Sequence, residues 1–82
     1  MVNISVQFYS YYKELTGCAG TRETLPDGST LEDLWRSLAT KFSRLQPLRR
    51  STLMAVGVEY QPAEYALRDG DEVSFFPPVQ GG

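Results

Sequence analysis

The sequence predicts an α+β domain: a mixed sheet of four or five strands, one main helix at about residues 30–43 packed on one face, and an extended C-terminal tail. Three observations predict it. In "VNISVQF", Val2, Ile4, Val6 and Phe8 alternate with Asn3, Ser5 and Gln7, the period-two pattern of a half-buried strand. In "STLEDLWRSLATKF", Leu31, Leu34, Trp35, Leu38 and Phe42 fall at i, i+3, i+4, i+7 and i+11, a single helical stripe. The last residues, "FFPPVQGG", have neither pattern. At 82 residues and 41% hydrophobic content the chain holds one core. A chain of this size buries only about 60–65% of its unfolded surface, which leaves little room for a deep catalytic pocket.

The segments between carry their own local signals. "KELTGCAG" has two glycines and reads as a turn or a short helical turn. "TRETL" reads as a second strand, closed by the Pro26-Asp27-Gly28 turn. Ser29 with Glu32, or Thr30 with Asp33, forms a capping box for the helix, and Pro47 is expected to stop it. "TLMAVGV" alternates again through Met54, Val56 and Val58, and a short extra strand is expected around Tyr60. "ALRDGDEVSFF" carries an Asp-Gly turn and a last strand. The order is β-β-α-β-β. The first two strands can pair as a hairpin, and the helix needs one sheet face for its stripe. A last strand running parallel beside the first, through a crossover, completes the ubiquitin-like or β-grasp arrangement. The expected core is Ile4, Val6, Phe8, Leu34, Trp35, Leu38, Val56, Leu67 and Val73. The domain is expected to span residues 1–76, with residues 77–82 as an extended flexible tail.

The chemistry that the chain lacks is informative. It has no histidine, the commonest general base and metal ligand. Its single cysteine, Cys18, makes neither an internal disulfide nor a zinc site, and one unpaired thiol points to a reducing, cytoplasmic setting. Gly17 and Gly20 lack the spacing and the following lysine of a phosphate loop. A net charge of −2 argues against nucleic acid, and no apolar run approaches a membrane span. Glu32 and Asp33 read as capping and solvated residues, Arg49 and Arg50 as a solvated basic pair, Cys18 as an incidental thiol, and Asp69-Gly70-Asp71 as hairpin-turn chemistry. None of these side chains runs a reaction unaided, so no cofactor or metal is expected on the chain itself.

That leaves the tail. A terminal Gly-Gly arises by chance in roughly 0.5% of chains at average glycine usage, so a frayed or truncated end is the weaker reading. Pro77 and Pro78 favour a stiff, extended path away from the sheet, and Val79 continues it. From Phe76 to Gly82 the chain can extend by about 20 Å. Gly81 and Gly82 have no Cβ and can thread a narrow channel. The Gly82 α-carboxylate is then the one obvious reactive group. Strand parity adds a second expectation. Phe8 points inward, so Tyr9 points out; Val73 and Phe75 share one face, so Phe76 takes the other. Neighbouring first and last strands would bring Tyr9 and Phe76 together at the root of the tail as a partner anchor.

"LRDGDEVSFFPPVQGG" resembles the end of the small subunit of molybdopterin synthase, the MoaD family. "VQFYSYYKELTG" and "LMAVGVEY" are similar to the family's first strand and turn and to its later strand. The sequence departs from the family at Ser10, Lys13 and Gly57, where Ala, Arg and Asn are frequent. The resemblance implies a sulfur carrier. A ubiquitin-activating-type adenylyltransferase, MoeB-like, would convert Gly82 to an acyl-adenylate with ATP and magnesium, and a sulfur donor would replace AMP to leave a thiocarboxylate. A larger MoaE-like synthase subunit would receive the tail and pass sulfur to cyclic pyranopterin monophosphate. The resemblance also suggests that Tyr60 joins the docking patch. Alternatives are a carrier for thiamine synthesis or tRNA thiolation, a ubiquitin-like protein modifier, and a passive interaction module.

Overall fold

The computed structural model describes residues 1–9 and 11–76. Strand β1, Val2–Phe8, is an interior strand and buries its alternate residues in the order that the sequence pattern sets. A six-residue helix, α1 (Tyr11–Thr16), interrupts the connection to β2, Gly20–Leu25, which pairs antiparallel with β1. At Gly20 a Cβ would lie 2.7 Å from the Val6 carbonyl oxygen, so the close start of this pairing requires glycine. The main helix, α2 (Leu31–Lys41), is followed by 3-10 turns over Ser43–Ser51. Strands β3 (Leu53–Val56), β4 (Glu59–Tyr60) and β5 (Glu72–Phe76) complete a five-stranded sheet of order β2-β1-β5-β3-β4. β5 lies parallel to β1, and β3 is antiparallel to both β5 and β4. This is the β-grasp arrangement that the element order predicts.

The helix start is fully satisfied. Asp33 N–H donates to Thr30 Oγ1 at 3.3 Å, and Thr30 N–H donates back to Asp33 Oδ2 at 2.9 Å. Thr30 with Asp33 is therefore the capping box, not Ser29 with Glu32. The next orphan donors are taken up by a crossing loop: Leu31 N–H donates to Tyr65 O and Glu32 N–H to Ala63 O. Glu32 is more than a solvated residue. It accepts from Arg49 Nε at 2.8 Å and lies 3.5 Å from Arg36, so half of the Arg49-Arg50 pair is an internal contact. The helix ends at Lys41 with Phe42 as its cap, within two residues of the expected 43, but Pro47 does not stop it and sits inside the 3-10 turns that follow. Phe42 must turn inward to meet Phe8 edge-on at 5.9 Å, which ends the regular helix first.

The α2 stripe of Leu31, Leu34, Trp35 and Leu38 packs on Ile4, Val6, Phe8, Val73 and Phe75, all buried. Trp35 meets Phe75 at 5.3 Å between ring centroids. Eight of the nine expected core residues are buried. The exception is Val56, which is half-buried and packs at the margin of the core, because β3 ends there. Gly57 turns the chain at φ +63°, and Val58 leaves the alternation to stand 99% exposed at the turn. The backbone conformation suits Gly or Asn, the residues that tolerate the left-handed region. Asp69-Gly70-Asp71 is likewise not a hairpin turn. It clips the start of β5 to β1: Asn3 N–H donates to Asp69 Oδ1 at 2.8 Å, and Gly70 N–H to Asn3 O at 2.9 Å.

Tyr12 ties α1 to the far side of the sheet. Its ring is buried, and its hydroxyl lies 2.7 Å from Thr52 Oγ1, which donates to Leu48 O. Burial pushes the phenol above the ordinary tyrosine range, against the lowering effect of the Thr52 hydrogen bond. A raised folded-state value favours the neutral phenol. Its contribution is complete below the unfolded value of about 10 and is lost as pH rises through the higher folded value. Tyr12→Phe should cost about 0.5–1.5 kcal/mol at neutral pH. It should also flatten the loss of stability above about pH 10 relative to wild type, as denaturant titrations at several pH values would read.

Candidate functional site at the root of the tail

The outer face of the sheet changes character from one side to the other. Pairing sets its rows: Thr24 beside Asn3; Arg22, Ser5 and Glu72; then Gly20, Gln7, Ser74, Ala55 and Tyr60. The β2–β1 side is polar, and its two depressions, of about 280 and 320 Å³, flank Arg22. The last row, at the C-terminal end of β5, pairs Phe76 with Leu53. Tyr9 follows Phe8 at the adjacent end of β1. Here three aromatic rings meet. Tyr9 stacks on Phe76 with centroids 5.0 Å apart and planes 11° apart, and Tyr60 meets Phe76 edge-on at 6.1 Å and 74°. Both are favourable quadrupole geometries.

Tyr9 and Phe76 meet on the outer face as strand parity predicts, and Tyr60 joins them as the resemblance implies. Phe76 is half-buried between its neighbours, whereas Tyr9 and Tyr60 are 43% and 65% exposed. Leu53, 38% exposed, widens the patch and was not foreseen. Its signal was present: with Met54 facing the core, Leu53 must face out. Pro77, Pro78, Val79, Gly81 and Gly82 lie outside the described residues, as does Ser10.

Cys18 is half-buried against the core in the α1–β2 turn. Glu23, buried on β2, accepts from Ser37 Oγ at 2.7 Å and pairs with Lys41, fastening β2 to α2. Among the described residues no cluster of three or more potential metal ligands occurs, and no helix is long and apolar enough to cross a membrane. The patch at the end of β5 is an exposed aromatic surface built by Tyr9, Tyr60 and Phe76, with Leu53 at its margin.

Comparison with known proteins bears on the segment beyond Phe76. The ThiS family model matches residues 6–82, so the match runs through the tail. The chain belongs to the ThiS family. The molybdopterin synthase sulfur carrier subunit of Escherichia coli is 38% identical to it over 81 residues, covering 96% of this chain and 99% of the relative. Among solved structures, the small archaeal modifier protein 1 of Haloferax volcanii superposes with a TM-score of 0.88 at 20% identity, over 96% of this chain and 100% of that one. A complex of subunits 1 and 2 of the molybdopterin-converting factor from Helicobacter pylori contains a chain that matches at a TM-score of 0.71 and 23% identity, over 99% and 100%. These two likenesses show the fold alone; the family rests on the match over residues 6–82 and on the sequence relative.

Proposed function

We propose that this ThiS-family chain is the sulfur carrier subunit of a molybdopterin synthase. The observation that carries the reading is the near-complete match to the E. coli sulfur carrier subunit, 96% of this chain against 99% of that one, combined with a family match that extends to Gly82. The physical logic fits. A carboxylate is a poor electrophile, and an adenylating partner using ATP and magnesium supplies the leaving group: Gly82 oxygen attacks the α-phosphorus and pyrophosphate departs. Sulfide then attacks the acyl carbon, the C–O bond to AMP breaks, AMP departs with the electron pair, and a thiocarboxylate remains. This group is an ionised sulfur nucleophile at neutral pH. A larger synthase subunit receives the tail and directs the sulfur to cyclic pyranopterin monophosphate. The partners bring the catalytic side chains that this chain does not have.

The aromatic patch is the docking anchor in this reading. It is apolar, it adjoins the tail root, and its central ring is already desolvated by two neighbours. Phe76→Ala should weaken binding to the large subunit by roughly tenfold or more, about 1.4 kcal/mol or above, without unfolding the domain. A calorimetric titration with unchanged affinity would remove Phe76 from the anchor. The function itself is tested by reconstitution. The carrier, adenylating enzyme, ATP, magnesium and a sulfide source, followed by large subunit and cyclic pyranopterin monophosphate, should yield the dithiolene product. No product under conditions in which the E. coli carrier succeeds would contradict the assignment.

A further inference from the structure

We propose that Asp27-Gly28 is a modification site of the folded chain, at which aspartate converts to isoaspartate without an enzyme, and that Asn3 holds the second Asp-Gly pair, Asp69-Gly70, out of the same reaction. These are the two Asp-Gly pairs of the sequence. Glycine has no side chain to obstruct ring closure at its own nitrogen. The Gly28 nitrogen attacks Asp27 Cγ and gives up its proton; the carboxyl hydroxyl leaves with the C–O electron pair and departs as water. The product is a five-membered succinimide. Water then opens the ring. Addition at Cγ restores aspartate, and addition at the main-chain carbonyl leaves isoaspartate, with the backbone running through Cβ and Cγ. Water is the only co-reactant, and no group is oxidised or reduced.

Local conformation does not separate the two pairs. Each occupies the middle of a four-residue reversal: Ser29 N–H donates to Pro26 O at 3.2 Å across one, and Asp71 N–H donates to Arg68 O at 3.0 Å across the other. Both glycines sit at φ +88° in the third position of the turn. Both aspartates are exposed. What differs is how the reacting atoms are held. Asp69 Oδ1 accepts from Asn3 N–H at 2.8 Å and from Asn3 Nδ2 at 3.2 Å. Gly70 N–H, the attacking group, donates to Asn3 O at 2.9 Å. Nucleophile and carboxyl are thus both committed to Asn3, and ring closure waits until these three bonds open together. Asp27 is not held in this way. Its side chain is 81% exposed, and its contact is the exposed Met1 ammonium at 2.9 Å, a surface pair for which water competes readily. Among the described residues no backbone carbonyl accepts from Gly28 N–H.

The product would act on the start of α2. Isoaspartate adds one backbone atom inside the turn that ends at Ser29. Ser29 is buried; its hydroxyl donates to Pro26 O at 2.7 Å, and its carbonyl accepts from Leu67 N–H at 2.8 Å. Thr30, the helix cap, follows directly. A longer turn moves Pro26 O away from Ser29 and loosens this junction. The site lies where Leu25 pairs with Val2, at the end of the sheet away from Phe76, so the inference is independent of the carrier reading.

The test holds the full chain at neutral pH and physiological temperature for weeks, beside a sample kept in denaturant. Isoaspartate is located in the peptides by electron-transfer fragmentation. In denaturant both pairs should convert. In the folded chain isoaspartate should accumulate at residue 27, preceded by a succinimide lighter by one water. Conversion at Asp69 should be at least about tenfold slower, because it waits on local opening. Equal folded rates at the two pairs, faster conversion at Asp69, or an unchanged Asp27 in the folded chain while the denatured chain converts would each overturn the inference. Thermal unfolding of the aged protein should show a lower transition that grows with isoaspartate at residue 27. Asp27→Glu, which would have to close a six-membered ring, should show neither the product nor the lower transition. An aged fraction with an unaltered midpoint would overturn the effect assigned to the turn.

Discussion

Deleting Gly82 should abolish sulfur delivery while leaving the domain folded. The deletion leaves a carboxylate on Gly81 but withdraws it by about 3.3 Å. A displacement of 1 Å can cost on the order of a hundredfold where geometry governs, so the loss should be at least that large. Gly81→Ile keeps the length and adds a branched side chain where only a slim backbone threads, and it should fail similarly. The α2 stripe and the β1–β5 face close on one another within the described residues, so unfolding midpoints should match wild type for both variants. Mass measurement after incubation with adenylating enzyme, ATP and sulfide, then with large subunit and precursor, locates the failed step. Wild-type rates from the Gly82 deletion would remove the tail geometry from the mechanism.

Leu38→Ala carries the largest expected effect on stability. Leu38 is fully buried in the α2 stripe, against a sheet face made by β1 and β5. Removing its side chain should cost about 2–5 kcal/mol, a transfer loss plus the cavity that a rigid sheet cannot fill. For a domain of this size that is a large share of a total stability of about 4–12 kcal/mol. Denaturant titration should show the midpoint fall with little change in slope. A loss below about 1 kcal/mol would mean that the helix does not close the core in solution.

The fold was legible because its signals are local and repeated. β1 alternates without interruption, and the α2 stripe leaves one face to bury, so the order of elements allows few sheets. Misreadings occurred where a contact distant in sequence decided. Phe42 ends α2 early to reach Phe8, although Pro47 is the stronger local signal. Val58 follows the alternation on paper, but Gly57 at positive φ breaks it. Glu32 looked like a solvated end residue, and only the path of the 3-10 turns brings Arg49 onto it. The Asp69–Asn3 clip joins residues 66 positions apart and has no local signature.

The site divides in the same way. Parity alone puts Tyr9 and Phe76 on the outer face, because period two leaves no choice once Phe8 and Phe75 are inside. That their rings stack, and that Tyr60 closes on them, depends on the lateral order of β1, β5, β3 and β4. Leu53 could have been placed from the parity of Met54, once β3 was known to border β5. The proposed reactive group, the Gly82 carboxylate, is the converse case. It is legible in the sequence and lies outside the described residues, so the surface and the chemistry come from different sources and meet at Phe76.

Whether Gly82 carries sulfur is decided by the mass of the C-terminal peptide of this chain, isolated from its native host and fragmented to localise any modification. A fraction of the peptide should be about 16 Da heavier, one oxygen replaced by sulfur, with the increment on Gly82. That fraction should fall when the adenylating partner is removed. An unmodified Gly82 in cells actively making molybdopterin, or the tail found instead in amide linkage to lysines of other proteins, would contradict the sulfur-carrier role.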